Sequence, residues 1–158
     1  MDSLLMDKSL ISDAVTTAAI ASDDRDWARF RSLLADRVHF DASRHVGGPP
    51  TELAAEDFLA GPAAVLSGFD GTQHALSNML VTVDGDEAQC RADMVAYHYI
   101  TEDDGTLSHV TMRGRWELGL RRVTGRWLIT RWAVIPTAPL DGDAGLYERA
   151  GARGASAA

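Results

Sequence analysis

The chain has 158 residues, 46% of them hydrophobic, with a net charge of −8 and one cysteine. That length suits a single domain with one sizeable core. The scattered Lys and Arg exclude the basic patch that nucleic acid or an anionic membrane surface requires, and Cys90 alone can form neither an intrachain disulfide nor a thiolate metal cluster. No run approaches the length of a membrane span. Met1 to Lys8 carries Asp2 and Asp7 and no long apolar core, so no secretory signal is expected and the cytoplasm is the default compartment.

A first helix is predicted over Asp7 to Ala21, where Leu10, Ile11, Ala14, Val15, Ala18 and Ala19 recur at helical spacing. Ser9 or Asp7 can cap its start. The acidic stretch Ser22-Asp23-Asp24-Arg25-Asp26-Trp27 breaks the pattern, because a helix C-terminus disfavours negative charge. A second helix is expected from about Asp26 to Leu34, capped by Asp23 or Asp24. Val38 to Asp41 reads as a short strand, Val46 to Pro50 as a loop, and Glu52 to Ala60 as a third helix interrupted at Gly61-Pro62.

From Gly71 onward the pattern changes to long strands: Thr72 to Val83, Glu87 to Thr101, Leu107 to Arg122 and Arg126 to Ile135. Turns are expected at Asp84-Gly85, at Asp103 to Gly105 and at Thr124-Gly125. A four-strand antiparallel meander after a helical N-terminal half is an α+β arrangement. Strands this long bend, and a curved sheet with helices on its concave side makes a cone with a pocket. On the second long strand, Ala88, Cys90, Ala92, Met94, Ala96 and His98 share the inward face, and His98 is its one ionisable group. Val110, Met112, Gly114, Trp116, Leu118 and Leu120 form the apolar face of the third. The fourth is mixed, with Trp127, Ile129 and Arg131 against Leu128, Thr130, Trp132 and Val134. A strand apolar on both sides is covered on both sides, so a second copy of the chain is expected on the outer face. The Gly- and Ala-rich segment from Asp141 to Ala158, with Leu146 and Tyr147 as its apolar anchors, is expected to be a disordered tail beyond a domain of residues 1–140.

His74 opens the first long strand and His98 lies on its neighbour, so both rings can reach one cavity. A carboxylate beside an imidazole in a dry pocket makes a general base, and Asp23 at the helix joint is the candidate. Plainer readings stand beside these: Asp23 as a helix cap, His98 as a hydrogen-bonded core residue, Trp27 and Trp116 as core, Asp41 as a strand end, Arg131 as half of a surface ion pair. His39, His45 and His109 have no evident partner, and no paired ligand spacing points to a metal.

Asp23-Asp24-Arg25-Asp26-Trp27, Val38 to Asp41, Thr72-Gln73-His74 followed by Asn78, Val83 to Ala88, Val95 to His98 and Gly125-Arg126-Trp127 stand in an order that resembles SnoaL-like proteins of the nuclear transport factor 2-like superfamily. The resemblance covers about Leu10 to Pro136 and implies a cone-shaped, cystatin-like α+β barrel. Within the superfamily the pattern is similar to scytalone dehydratase and the bile acid dehydratases. It implies a cofactor-free lyase on a hydrophobic carbonyl, polyketide or steroid-like compound, with His74 as base, Asp23 orienting it and His98 donating to the leaving hydroxyl. Trp27, Asn78, Met94, Met112, Trp116 and Arg131 are expected in the substrate pocket, and a homodimer or trimer is expected. Ser22 and Ala42 stand where the dehydratase has tyrosines that polarise the carbonyl, so scytalone itself is not the expected substrate. A polyketide cyclase, or a non-catalytic binding or subunit-type protein, remains the alternative on the same fold.

Overall fold

The computed structural model describes residues 2–157. Helix α1 (Asp2–Asp24) and the short α2 (Trp27–Arg31) lead into strand β1 (Leu34–Asp41), strand β2 (Thr51–Ala54) and helix α3 (Ala55–Leu66). Strands β3 (Gly71–Asp84), β4 (Glu87–Thr101), β5 (Leu107–Val123) and β6 (Arg126–Pro136) form the antiparallel meander. A two-residue strand β7 (Asp141–Gly142) and helix α4 (Leu146–Ala157) follow. The sheet order is β2-β1-β6-β5-β4-β3, with β1 parallel to β6 and β7 against β5. This is an α+β fold: a curved, unclosed sheet with the N-terminal helices on its concave side. Among the described residues no helix is long and apolar enough to cross a membrane.

The helix joint forms for local reasons. Arg25 takes a left-handed φ of 56°, and the Asp26 amide donates back to the Ala21 carbonyl at 2.9 Å, which closes α1. Asp26, not Asp23 or Asp24, then caps α2 by accepting from the Arg29 amide. The second helix is shorter than its pattern suggests, because Leu34 leaves it to pair with Ile129 in the sheet. Asp7 lies inside α1 rather than at its cap. Its carboxylate takes both Arg122 guanidinium nitrogens at 2.8 Å and the Trp127 indole nitrogen at 3.0 Å, tying α1 to β5 and β6.

Four sequence expectations are corrected. Thr51 to Ala54 pairs with β1 as a strand, so the third helix starts at Ala55, and it runs on through Pro62. The β3–β4 turn is centred on Gly85-Asp86, with positive φ at Gly85 alone. The C-terminal segment is not disordered over Leu146–Ala157: α4 packs on α3, with Leu146 and Ala150 fully buried. The contact is close, since a Cβ at Gly68 would meet the Ala150 carbonyl oxygen and one at Gly154 the Ala64 carbonyl oxygen, each at 1.8 Å. Finally, β6 is not apolar on two sides. Gly119 pairs with Arg131 and Leu120 with Ile129, so Thr130 is an extra residue that switches the side-chain alternation. Trp127 and Ile129 before it, and Trp132 and Val134 after it, all face the same concave core as Leu118 and Leu120. The alternation therefore gives no ground for a second cover.

Candidate active site

The concave side encloses a cavity of about 640 Å³ with an almost wholly apolar wall. Phe30, Phe58, Met94, Met112, Trp116 and Trp132 supply much of it, and Ser22, His45, His74, His98 and Tyr147 bring polar atoms. Val46, Gly61 and Leu140 are exposed wall residues and mark its mouth.

Asp23 is aimed at β3 by the end of α1. Thr72 Oγ1 donates to its Oδ1 at 2.9 Å and the His74 amide to its Oδ2 at 2.8 Å. His74 Nδ1 lies 2.7 Å from Oδ1. Burial pushes the Asp23 carboxyl up, but the hydrogen bonds from the His74 ring and amide and from Thr72 outweigh it and hold the group below the usual carboxylate range. An ionised carboxylate only accepts, so His74 Nδ1 carries the hydrogen and Nε2 keeps its lone pair.

His98 is held in a different way. Its ring is 3% exposed, packed against Phe69 at 4.9 Å, Tyr147 at 5.4 Å and His74 at 5.5 Å between centroids. Burial, with the charge of His74 adding, pushes it down to about 4, so the ring is neutral near pH 7. Nδ1 lies 3.3 Å from the Val110 carbonyl oxygen. A carbonyl only accepts, so that nitrogen carries the hydrogen and Nε2 is an acceptor. This tautomer does not suit the donor role that the resemblance implies for His98.

Every fully buried side-chain nitrogen or oxygen among the described residues has a hydrogen-bond partner. The Nε2 atoms of His74 and His98 have none among the described residues, so each is open, and the space their rings line is the cavity.

Of the residues expected in the pocket wall, Met94, Met112 and Trp116 lie in it. Trp27 does not; it stacks on Phe30 at the edge of the core. Asn78 sits at an irregularity of β3 between Ser77 and Leu80, with a φ of 49°, and donates to Asp93 on the exposed side. Arg131 follows the Thr130 bulge and is exposed in a separate shallow depression beside Arg91 and Glu117. His45, on the turn after β1, and Tyr147, on α4, are wall residues that the sequence left without a partner or only as an apolar anchor of the tail. Their rings pack edge-to-face at 5.7 Å. Burial drives His45 down and the Tyr147 phenol up to about 12, so both are neutral near pH 7. Among the described residues no group of three His, Cys, Asp or Glu is placed to hold a metal ion.

No curated protein matches the chain. Solved structures with the same fold include the Kfla4162 protein of Kribbella flavida, 21% identical with a TM-score of 0.83 over 92% of this chain and 99% of that one. A protein of Novosphingobium aromaticivorans, provisionally named an aromatic ring hydroxylase, is 26% identical with a TM-score of 0.76 over 90% and 97%. Another from the same organism, provisionally named a scytalone dehydratase, is 18% identical with a TM-score of 0.74 over 87% and 88%. The sequence profile of the SnoaL-like domain matches residues 3–133, most of the chain. With its cone-shaped sheet and its cavity under the N-terminal helices, this chain belongs to the SnoaL-like domain family.

Proposed function

We propose that the protein is a cofactor-independent acid–base enzyme, a lyase of the dehydratase or isomerase type acting on a hydrophobic carbonyl compound. The observation that carries this is the Asp23–His74 contact of 2.7 Å at the wall of an apolar cavity. His74 Nε2 takes the proton from the carbon next to the carbonyl, and the C–H electron pair moves toward the carbonyl oxygen. Asp23 fixes the tautomer and stabilises the imidazolium as it forms. His98 Nε2 accepts a hydrogen bond from the substrate hydroxyl. In a dehydration the C=O bond then re-forms, the enolate C=C pair makes a double bond to the next carbon, and the C–O bond there breaks as the hydroxyl takes the proton His74 has gained and departs as water. Isomerisation or aldol cyclisation of a polyketide or steroid-like ring system would start from the same proton transfer.

A volume of about 640 Å³ suits a ligand of two to four rings and supports a catalytic reading over a subunit whose pocket is filled by side chains. The test is deuterium exchange from D₂O into the acidic C–H positions of 2-tetralone, a bicyclic ketone that needs no knowledge of the natural substrate. The protein should accelerate exchange, and His74→Ala should lower the rate by about 10²–10⁴-fold. A loss below about tenfold would remove general-base catalysis by His74.

A further inference from the structure

Proton abstraction next to a carbonyl builds negative charge on the oxygen, and the largest catalytic gain comes from a fixed donor aimed at that atom. The cavity wall carries several side-chain N–H and O–H groups. Ser22 donates its hydroxyl to the Ala18 carbonyl at 2.9 Å. The Nδ1 hydrogens of His74 and His98 are taken by Asp23 and Val110. Trp116, Trp132, Tyr147 and His45 are left, with no hydrogen bond from their N–H or O–H to any described residue.

Distance separates these four. An oxygen one bond from the carbonyl carbon lies close to the carbon that His74 deprotonates, so its donor must stand next to the His74 ring. Trp116 is the one of the four whose ring packs on His74, at 5.8 Å between centroids. Trp132 packs on Trp116 at 4.7 Å, Tyr147 lies beyond His98, and His45 packs on Tyr147 near the mouth. Trp116 is itself 4% exposed, yet its indole nitrogen has no partner, so that nitrogen is open where the ring lines the cavity.

Resting on the proton transfer proposed above, we infer that Trp116 is a catalytic residue: its indole N–H hydrogen-bonds the substrate's carbonyl oxygen while His74 takes the neighbouring proton. The indole keeps its hydrogen throughout; the electron pair of the broken C–H bond forms the new C=C bond, and the C=O π pair moves onto the oxygen. His74 then stands between a donor, Trp116, and an acceptor, His98 Nε2, at 5.8 and 5.5 Å between rings. That order matches a β-hydroxy carbonyl compound, in which the acidic carbon lies between C=O and C–OH.

The four tryptophans give four indole N–H signals in a ¹⁵N-labelled protein, each assigned by a Trp→Phe variant. Adding 2-tetralone should move the Trp116 signal downfield and leave Trp127, already bonded to Asp7, where it was. Trp116→Phe should slow deuterium exchange about a hundredfold, whereas Tyr147→Phe and His45→Phe should leave the shift of the Trp116 signal in place. The signal is read in the wild-type fold, so a poorly folded Trp116→Phe does not blunt the test. An unmoved Trp116 signal with the ketone bound and exchange intact overturns the role of Trp116 and leaves the base untouched. No exchange by the wild type overturns the base and the donor together, as does a ketone that fails to bind at millimolar concentration.

Discussion

Two histidines 5.5 Å apart line one cavity, and two different sets of elements hold them in opposite ways. At the α1–β3 end, His74 is fixed by charge: an ionised carboxylate with three donors on it. At the β4–α4 end, His98 is fixed by burial: Phe69, Tyr147 and a lone backbone carbonyl. The first arrangement sets a carboxylate against the ring and so suits a group that takes a proton in the proposed step. The second penalises charge and suits one that stays neutral and accepts a hydrogen bond. Neighbouring rings of the same chemistry thus acquire different work from what packs behind them.

The contrast can be broken most severely at Asp23. Asp23→Asn keeps the shape but removes the charge and leaves one accepting oxygen for three donors, so the His74 tautomer is no longer fixed, and exchange into 2-tetralone should fall by at least about a hundredfold, with the fold intact by circular dichroism. At the other end, Leu146 anchors α4 in a small core with Phe69, Ile100, Val110 and Ala150. Leu146→Ala should cost about 2–5 kcal/mol of stability, read from a urea midpoint, while the Asp23–His74 contact persists in the remaining folded protein.

Acid separates the two ends by sign and window. His98 sits near 4 in the folded chain against 6.5 when exposed, so the unfolded state binds the extra proton as pH falls between those values. Stability present above pH 6.5 is then lost toward pH 4, by about 3 kcal/mol, and His98→Phe should flatten that slope in pH-dependent urea melts. Asp23 has a lowered value, so its contribution holds above 3.8 and disappears only at more acid pH. The smallest effect should come from Arg149→Ala. It removes the paired contacts to Glu102 at 3.0 and 2.8 Å on the outside of α4, and solvent screens such a pair, so the melting midpoint should move least of the set.

The charged end was the legible one. A polar break between two apolar periodicities placed Asp23, and period-two alternation placed His98 on the inward face of β4. Alternation failed where a strand carries an extra residue. In β3 the inward set changes from His74 and Leu76 to Val81 and Val83 across the irregularity at Asn78, and in β6 it changes across Thr130. Asn78 and Arg131, expected in the pocket from the resemblance, lie outside it, each beside such an irregularity. The buried end was illegible from composition, because α4 docks through the missing side chains of one glycine in it and one just after α3. Gly68 and Gly154 let two backbones meet, a feature that looks like disorder in a Gly- and Ala-rich string. Tyr147 and His45 went unassigned with it.

The unpaired threonine in β6 sets a rule for how this chain tolerates change. Point substitutions at Thr130 leave the frame of the strand alone. Drawn into the ladder as an ordinary paired residue, Thr130 would slide every later side chain to the opposite surface, presenting Trp132 and Val134 to water and driving the neighbouring guanidinium of Arg131 into the hollow, whereas a strand lacking it keeps them where they are. The bulge, rather than the identity of the residue in it, therefore decides which surface Trp132 shows.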